Sequence, residues 1–215
     1  MQSEFSMQYE DRAPAVRSES GLAILYDQLS APKSAVEAIA EKRPFGLAIF
    51  VLILSVISKV AAGLIVPSNA GVFSDISLFI LLCFAQIVIT AVFTILAASV
   101  YHFAATNEYK LGDVRVLFIL ISVCLLPDVF SAPIALILNW LPWANTESLW
   151  FVSLVTLWIW GVVLQIIAVK NYYSISAGRS LFAVILPFIL LSALGMGGFL
   201  LVFTYLMSSI KALVG

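Results

Sequence analysis

Residues 45–66 read FGLAIFVLILSVISKVAAGLIV, bounded by Pro44 and Pro67 and carrying one charge, Lys59. The run reaches the ~20 residues at which a helix crosses the hydrocarbon core of a bilayer. Four further runs of the same kind follow, at about 76–105, 114–138, 149–169 and 181–207. They are continuous and rich in Leu, Ile and Val, without the short alternating segments of a transmembrane barrel. A helix bonds its own backbone in lipid. The expectation is an all-α integral membrane protein, a five-helix transmembrane bundle.

Composition agrees. Of 215 residues, 62% are hydrophobic and 11% charged, against about 45–50% and ~25% in soluble domains. Mean hydropathy is +1.09. Too little polar surface remains to clothe a soluble core of this size, which excludes a soluble enzyme, a disordered chain and a disulfide-stapled secreted domain. The net charge of −1 provides no basic field for nucleic acid. Cys83 and Cys124, inside apolar runs, read as small buried hydrophobes.

Lys and Arg flank the spans asymmetrically. Arg12, Arg17, Lys33, Lys42 and Arg43 precede the first span. Lys110 and Arg115 lie in or beside the 2–3 loop, TNEYKLGDVR, and Lys170 and Arg179 flank the 4–5 loop. The 1–2 loop, PSNAGVFSD, and the 3–4 loop, NWLPWANTES, carry none, and Lys211 alone breaks the pattern. Positive charge marks the cytoplasmic side, so the N-terminus is expected in the cytoplasm and the C-terminus outside. Trp140, Trp143 and Trp150 crowd the outer side; Tyr101, Tyr109, Tyr172 and Tyr173 gather at the inner one. Trp158 and Trp160 fall near mid-depth and are expected to pack against other helices.

Residues 1–18 read as a disordered cytoplasmic tail without the apolar core of a signal peptide, and 208–215 as a short external tail. Between them and the first span, 19–44 reads as an amphipathic juxtamembrane segment. Leu22, Leu25, Tyr26 and Leu29 recur at helical spacing. Val36 and Ile39 then oppose Lys33, Glu37, Glu41 and Lys42, with Pro32 suited to a first helical turn. An interfacial helix under the membrane is expected, a solvated stretch being the alternative.

Charges inside a bilayer are costly and point to function. Lys59 and Asp128 each lie 14 positions past the start of their span, ~21 Å along parallel helices at 1.5 Å per residue. Equal depth suits an ion pair. It serves a proton or substrate site, or it fixes span 1 against span 3, unless Lys59 instead snorkels to the outer surface alone. Gln86 and Gln165 are mid-span amides able to hydrogen-bond across helices. Pro127, Pro133 and Pro187 interrupt spans 3 and 5. Gly195, Gly197 and Gly198 in LGMGGF, with Ala193, form a small-residue face suited to close helix contact. His102, the sole histidine, lacks a ligand cluster and reads as an interfacial hydrogen-bonding group, with a pH-sensitive contact as the alternative. No catalytic constellation, metal set or cofactor loop is recognisable, so neither an enzyme nor a cofactor is expected.

These features together resemble the Ypt-interacting-protein (YIP) membrane family, and its bacterial branch in particular, over about residues 22–207. LSAPKSAVEAIAEKRPFG is similar to its pre-membrane segment. His102, a short polar loop and Pro127 match a family stretch in order and spacing. WGVVLQIIAVKNYYSISAGRSLFAVILPFILL is similar to its aromatic exit, Ser/Gly/Arg turn and span-5 proline. The 2–3 loop, without paired glycines, and Asp128 directly after Pro127 depart from that pattern. The resemblance implies a five-span bundle with a cytoplasmic N-terminus, and the short N-terminal segment suits a bacterial inner membrane. The expected role is a non-enzymatic protein that organises or binds other membrane components. Its partners would be membrane lipids and either another membrane protein or a second copy. The alternative is a small homo-oligomeric transporter or channel with a polar site near Lys59 and Asp128.

Overall fold

The computed structural model describes residues 20–65, 76–106, 112–141, 146–190 and 192. Both tails, Tyr109, Trp143, Lys211 and the glycines Gly195, Gly197 and Gly198 lie outside the described residues. Every regular element described is helical: α1 (Gly21–Ser30), α2 (Pro32–Lys42), α3 (Phe45–Ile65), α4 (Ile76–Ala105), α5 (Val114–Val123), a 3₁₀ turn (Leu126–Phe130), α6 (Ser131–Asn139), α7 (Thr146–Tyr173) and α8 (Ala177–Leu190).

Four helical stretches are long and apolar enough to cross a membrane: α3, α4, the α5–α6 unit over Val114–Asn139, and α7. The fifth expected span is described only through α8, which starts earlier than the sequence suggested and runs unbroken through Pro187. In the most apolar window of each stretch, 61% of α5–α6 is buried against 11% of α4. The third span is therefore the axis of the bundle, and α4 lies at its edge with Ile80, Phe84 and Leu96 facing outward.

Local chemistry sets the boundaries. The Ser20 hydroxyl caps α1 by accepting from the Ala23 amide at 3.3 Å, and Pro32 opens α2 at a position where its missing N–H costs nothing. Arg43 ends α2 in the left-handed region, with φ of 49°. Pro44 then prevents the helix from continuing, so the chain turns into α3. Asp113 caps α5 by accepting from the Arg115 amide at 2.9 Å. Ser174, at φ 55°, turns α7 into α8.

The paired helices α1 and α2 dock on the bundle, with α2 against α7 and α5. Ile24, Val36 and Ile39 join Leu117, Leu120 and Val169 in one core. Val36 and Ile39 are buried and Lys33, Glu37, Glu41 and Lys42 exposed. The leucine–tyrosine stripe of α1 docks only in part, through Leu25, which packs on the core. Leu22 and Tyr26 are 77% and 70% exposed, while Ile24 and Gln28 are buried. The buried side joins Ile24, in the core, to Gln28, whose amide donates to the Cys124 sulfur at 3.4 Å.

Candidate functional site

The third span is a broken helix. Pro127 lacks the N–H that would continue the α ladder. The backbone instead tightens into a 3₁₀ turn in which the Asp128 amide donates to Leu125 at 3.0 Å. A buried break of this kind needs substitute partners for the freed backbone groups, and Ser58 on α3 supplies them. Its hydroxyl donates to the Val129 carbonyl at 2.7 Å and accepts from the Ala132 amide at 2.9 Å. Ser58 is not among the residues the sequence singles out; its one signal is a hydroxyl directly before Lys59, in a helix whose other hydroxyl is Ser55.

One residue on, Lys59 Nζ lies 2.6 Å from Asp128 Oδ2. The ends of the pair differ in surroundings: the side chain of Lys59 is 45% exposed and that of Asp128 14%. The break places Asp128 on a turn rather than on a regular helical face, which sets its carboxylate against α3.

The pair forms one wall of a cleft of about 310 Å³ between α4, the broken span, α7 and α8. Gln86, Thr90 and Thr94 line it from α4, and Gln165 from α7. Tyr101 closes part of the floor. Its hydroxyl donates to Gln165 Oε1 at 2.7 Å, which leaves the Gln165 NH₂ group as a donor. Thr94 is satisfied by the Thr90 carbonyl at 2.8 Å. No hydrogen bond joins the exposed Gln86 side chain to a described residue, so Gln86 and Gln165 do not bond to each other. Cys124 also lines the cleft, as do the buried ring of Pro187 and the aromatic side chains Phe93, Trp158 and Phe188. Trp158 meets Phe188 edge-on at 6.1 Å, and Trp160 stacks on Phe130 at 6.3 Å. Pro127 is buried within the turn and does not line the cleft.

The arrangement offers both signs of charge, uncommitted amide donors and aromatic walls in one opening. Such a set can hold a polar group within an apolar setting.

His102 belongs to a separate cluster at the other end of the bundle. Its Nδ1 lies 2.6 Å from the Tyr173 hydroxyl. Thr106 donates to the His102 carbonyl, and Arg179 to the Thr106 carbonyl at 3.2 Å. Beside them the Asp113 amide donates to the Tyr172 hydroxyl at 2.8 Å, and Arg43 pairs with Asp113 at 3.2 Å. This network ties α2, α4, α5, α7 and α8 together. Gly112 sits so close that a Cβ there would meet the Tyr173 ring at 2.5 Å.

Among the described residues, no group of three or more His, Cys, Asp or Glu could hold a metal ion. Cys83 and Cys124 are free and buried. No family model matches the chain, and neither does any curated protein or solved structure.

Proposed function

We propose that the chain is a non-enzymatic, multi-pass membrane protein that binds another membrane component in the lateral cleft between α4 and α7–α8. The observation that carries this reading is the composition of the cleft. It joins the Lys59–Asp128 pair and Gln86 to the exposed aromatic side chains Phe93, Trp158 and Phe188. Charged side chains in a spanning segment are costly unless they serve a site or a partner.

In this reading α8 is the first half of a fifth span, and the bundle sits in a bacterial inner membrane with its N-terminus in the cytoplasm. Support comes from the placement of Lys and Arg and from the clustering of His102, Tyr172, Tyr173, Arg43 and Arg179 at one end of the bundle. Docked α1–α2 then turns Leu22 and Tyr26 toward the inner interface, as an amphipathic juxtamembrane element does. The resemblance to the bacterial YIP branch fits this arrangement.

Mass spectrometry of the chain extracted in native lipid discs tests the reading. The wild type is expected to retain a component that Thr90→Trp, which fills the cleft, releases. Identical retained sets in the two proteins would overturn it. A second reading, a small homo-oligomeric transporter, is favoured by the same charge pair on the wall of an opening. It predicts a water-soluble solute as the retained species.

A further inference from the structure

The cleft carries information about its occupant. Lys59 and Asp128 neutralise each other at 2.6 Å, with the carboxylate largely enclosed. An anionic ligand that drew the ammonium away would strand the enclosed Asp128, and a cationic ligand would have to displace an ammonium already seated on that carboxylate. Stranding one member of an enclosed pair is strongly unfavourable. A ligand that brings both signs exchanges one matched pair for two. Lys59 is 45% exposed, so it has donors to spare for an acceptor beyond Asp128. Gln86 on the facing helix has no described partner and lines the same space.

Size and walls narrow the class further. A volume of about 310 Å³ is at the lower end of ligand cavities, ~300–1,000 Å³, enough for a headgroup and too small for a whole lipid. Phe93, Trp158 and Phe188 line the opening at 42%, 56% and 38% exposure, offering apolar surface for acyl chains outside it. Lys59 lies 14 positions along the 21-residue α3, so a headgroup entering from the far side descends ~9 Å, from a rise of 1.5 Å per residue.

Resting on the binding role given above, we propose that the cleft is a site for a zwitterionic phospholipid, its phosphate on Lys59 and Gln86 and its ammonium on Asp128. The lipid, rather than a soluble zwitterion of the same headgroup chemistry, is assigned because the exposed surface of Phe93, Trp158 and Phe188 at the opening suits acyl chains, which the soluble headgroup lacks.

The test is a native mass-spectrometric titration of the delipidated full chain. Its probes are phosphatidylethanolamine, phosphatidylglycerol, diacylglycerol and soluble glycerophosphoethanolamine. One phosphatidylethanolamine per chain is expected, held at least about 10-fold more tightly than the anionic or neutral lipid and not displaced by the soluble headgroup. Lys59→Met/Asp128→Asn should abolish that preference, and the exposed Gln86→Leu, which leaves the pair intact, should weaken it about 5-fold. Equal binding of phosphatidylglycerol, or a preference unchanged in both variants, overturns the proposal. Displacement by the soluble headgroup at equal concentration overturns the lipid assignment. Diacylglycerol bound as tightly as phosphatidylethanolamine, and released by Thr90→Trp, overturns the zwitterion while leaving the binding role standing. Failure of every probe to bind, together with nothing released by Thr90→Trp from native discs, removes both.

Discussion

Removing Lys59 should harm the protein more than removing Asp128. Lys59→Met leaves the carboxylate of Asp128 with its side chain 14% exposed and its cationic partner gone. Breaking an enclosed pair from one side costs about 3–5 kcal/mol. Asp128→Asn leaves an ammonium that is 45% exposed at the end of a flexible stem. Such a side chain can turn its charge toward the interface, so the loss should be nearer ~1 kcal/mol, as for a half-exposed pair. The double variant Lys59→Met/Asp128→Asn removes both charges and should recover about 2 kcal/mol relative to the sum of the singles. At roughly 2–4 °C per kcal/mol for a chain of this size, Lys59→Met should lower Tm by ~6–20 °C and Asp128→Asn by ~2–4 °C. The assay is thermal unfolding of the four proteins in the same lipid discs. Additive singles, or Asp128→Asn as the more damaging change, would refute the reasoning.

Ser58→Ala removes two hydrogen bonds from the broken span and should cost about 1–3 kcal/mol, read as a Tm loss in the same discs. Gly112→Ala drives a methyl into the Tyr173 ring. It should cost ~1–3 kcal/mol by overpacking and much less in a Tyr173→Ala background, which a double-mutant cycle will show. Asp113→Ala should destabilise more than Arg43→Ala. The carboxylate both pairs with Arg43 and caps α5, and a cap is worth ~1 kcal/mol against ≤ ~1 kcal/mol for an exposed pair. Raising salt should narrow the effect of Arg43→Ala and leave the capping loss. Gln28→Leu removes the hydrogen bond to Cys124. Faster amide exchange of α1, with α3 to α7 unchanged, is the expected result.

The four long apolar helices were legible because an uninterrupted apolar run of that length has few other uses in a chain of this composition. The proximity of Lys59 and Asp128 was legible too, since two parallel helices with equal offsets bring equal depths together. Its detail was not. The pattern of span 3 reads as one helix, and a proline in a helix kinks or breaks it depending on what takes the freed backbone groups. Here Ser58 does so from another helix, 71 positions away from Val129 in sequence. The docked side of α1 was hidden for a related reason. Part of its leucine–tyrosine stripe stays exposed, while Ile24 enters the core and Gln28 beside it donates to buried Cys124. The Tyr101–Gln165 bond was equally invisible, as both residues were read separately, one as an interfacial anchor and one as a mid-span amide. In each case a polar side chain chose its surroundings through a partner remote in sequence, which periodicity does not encode.

The cleft as a membrane-component site is tested most directly by photo-crosslinking in native membranes. A benzophenone side chain replaces Phe93, which lines the cleft, or Phe84, which is 67% exposed on the same helix and does not line it. Adducts at 93 are expected to be enriched in one zwitterionic lipid class relative to the bulk composition reported at 84. This enrichment is expected to vanish in the Lys59→Met/Asp128→Asn background. Adducts of the same composition at both positions would contradict this role of the cleft.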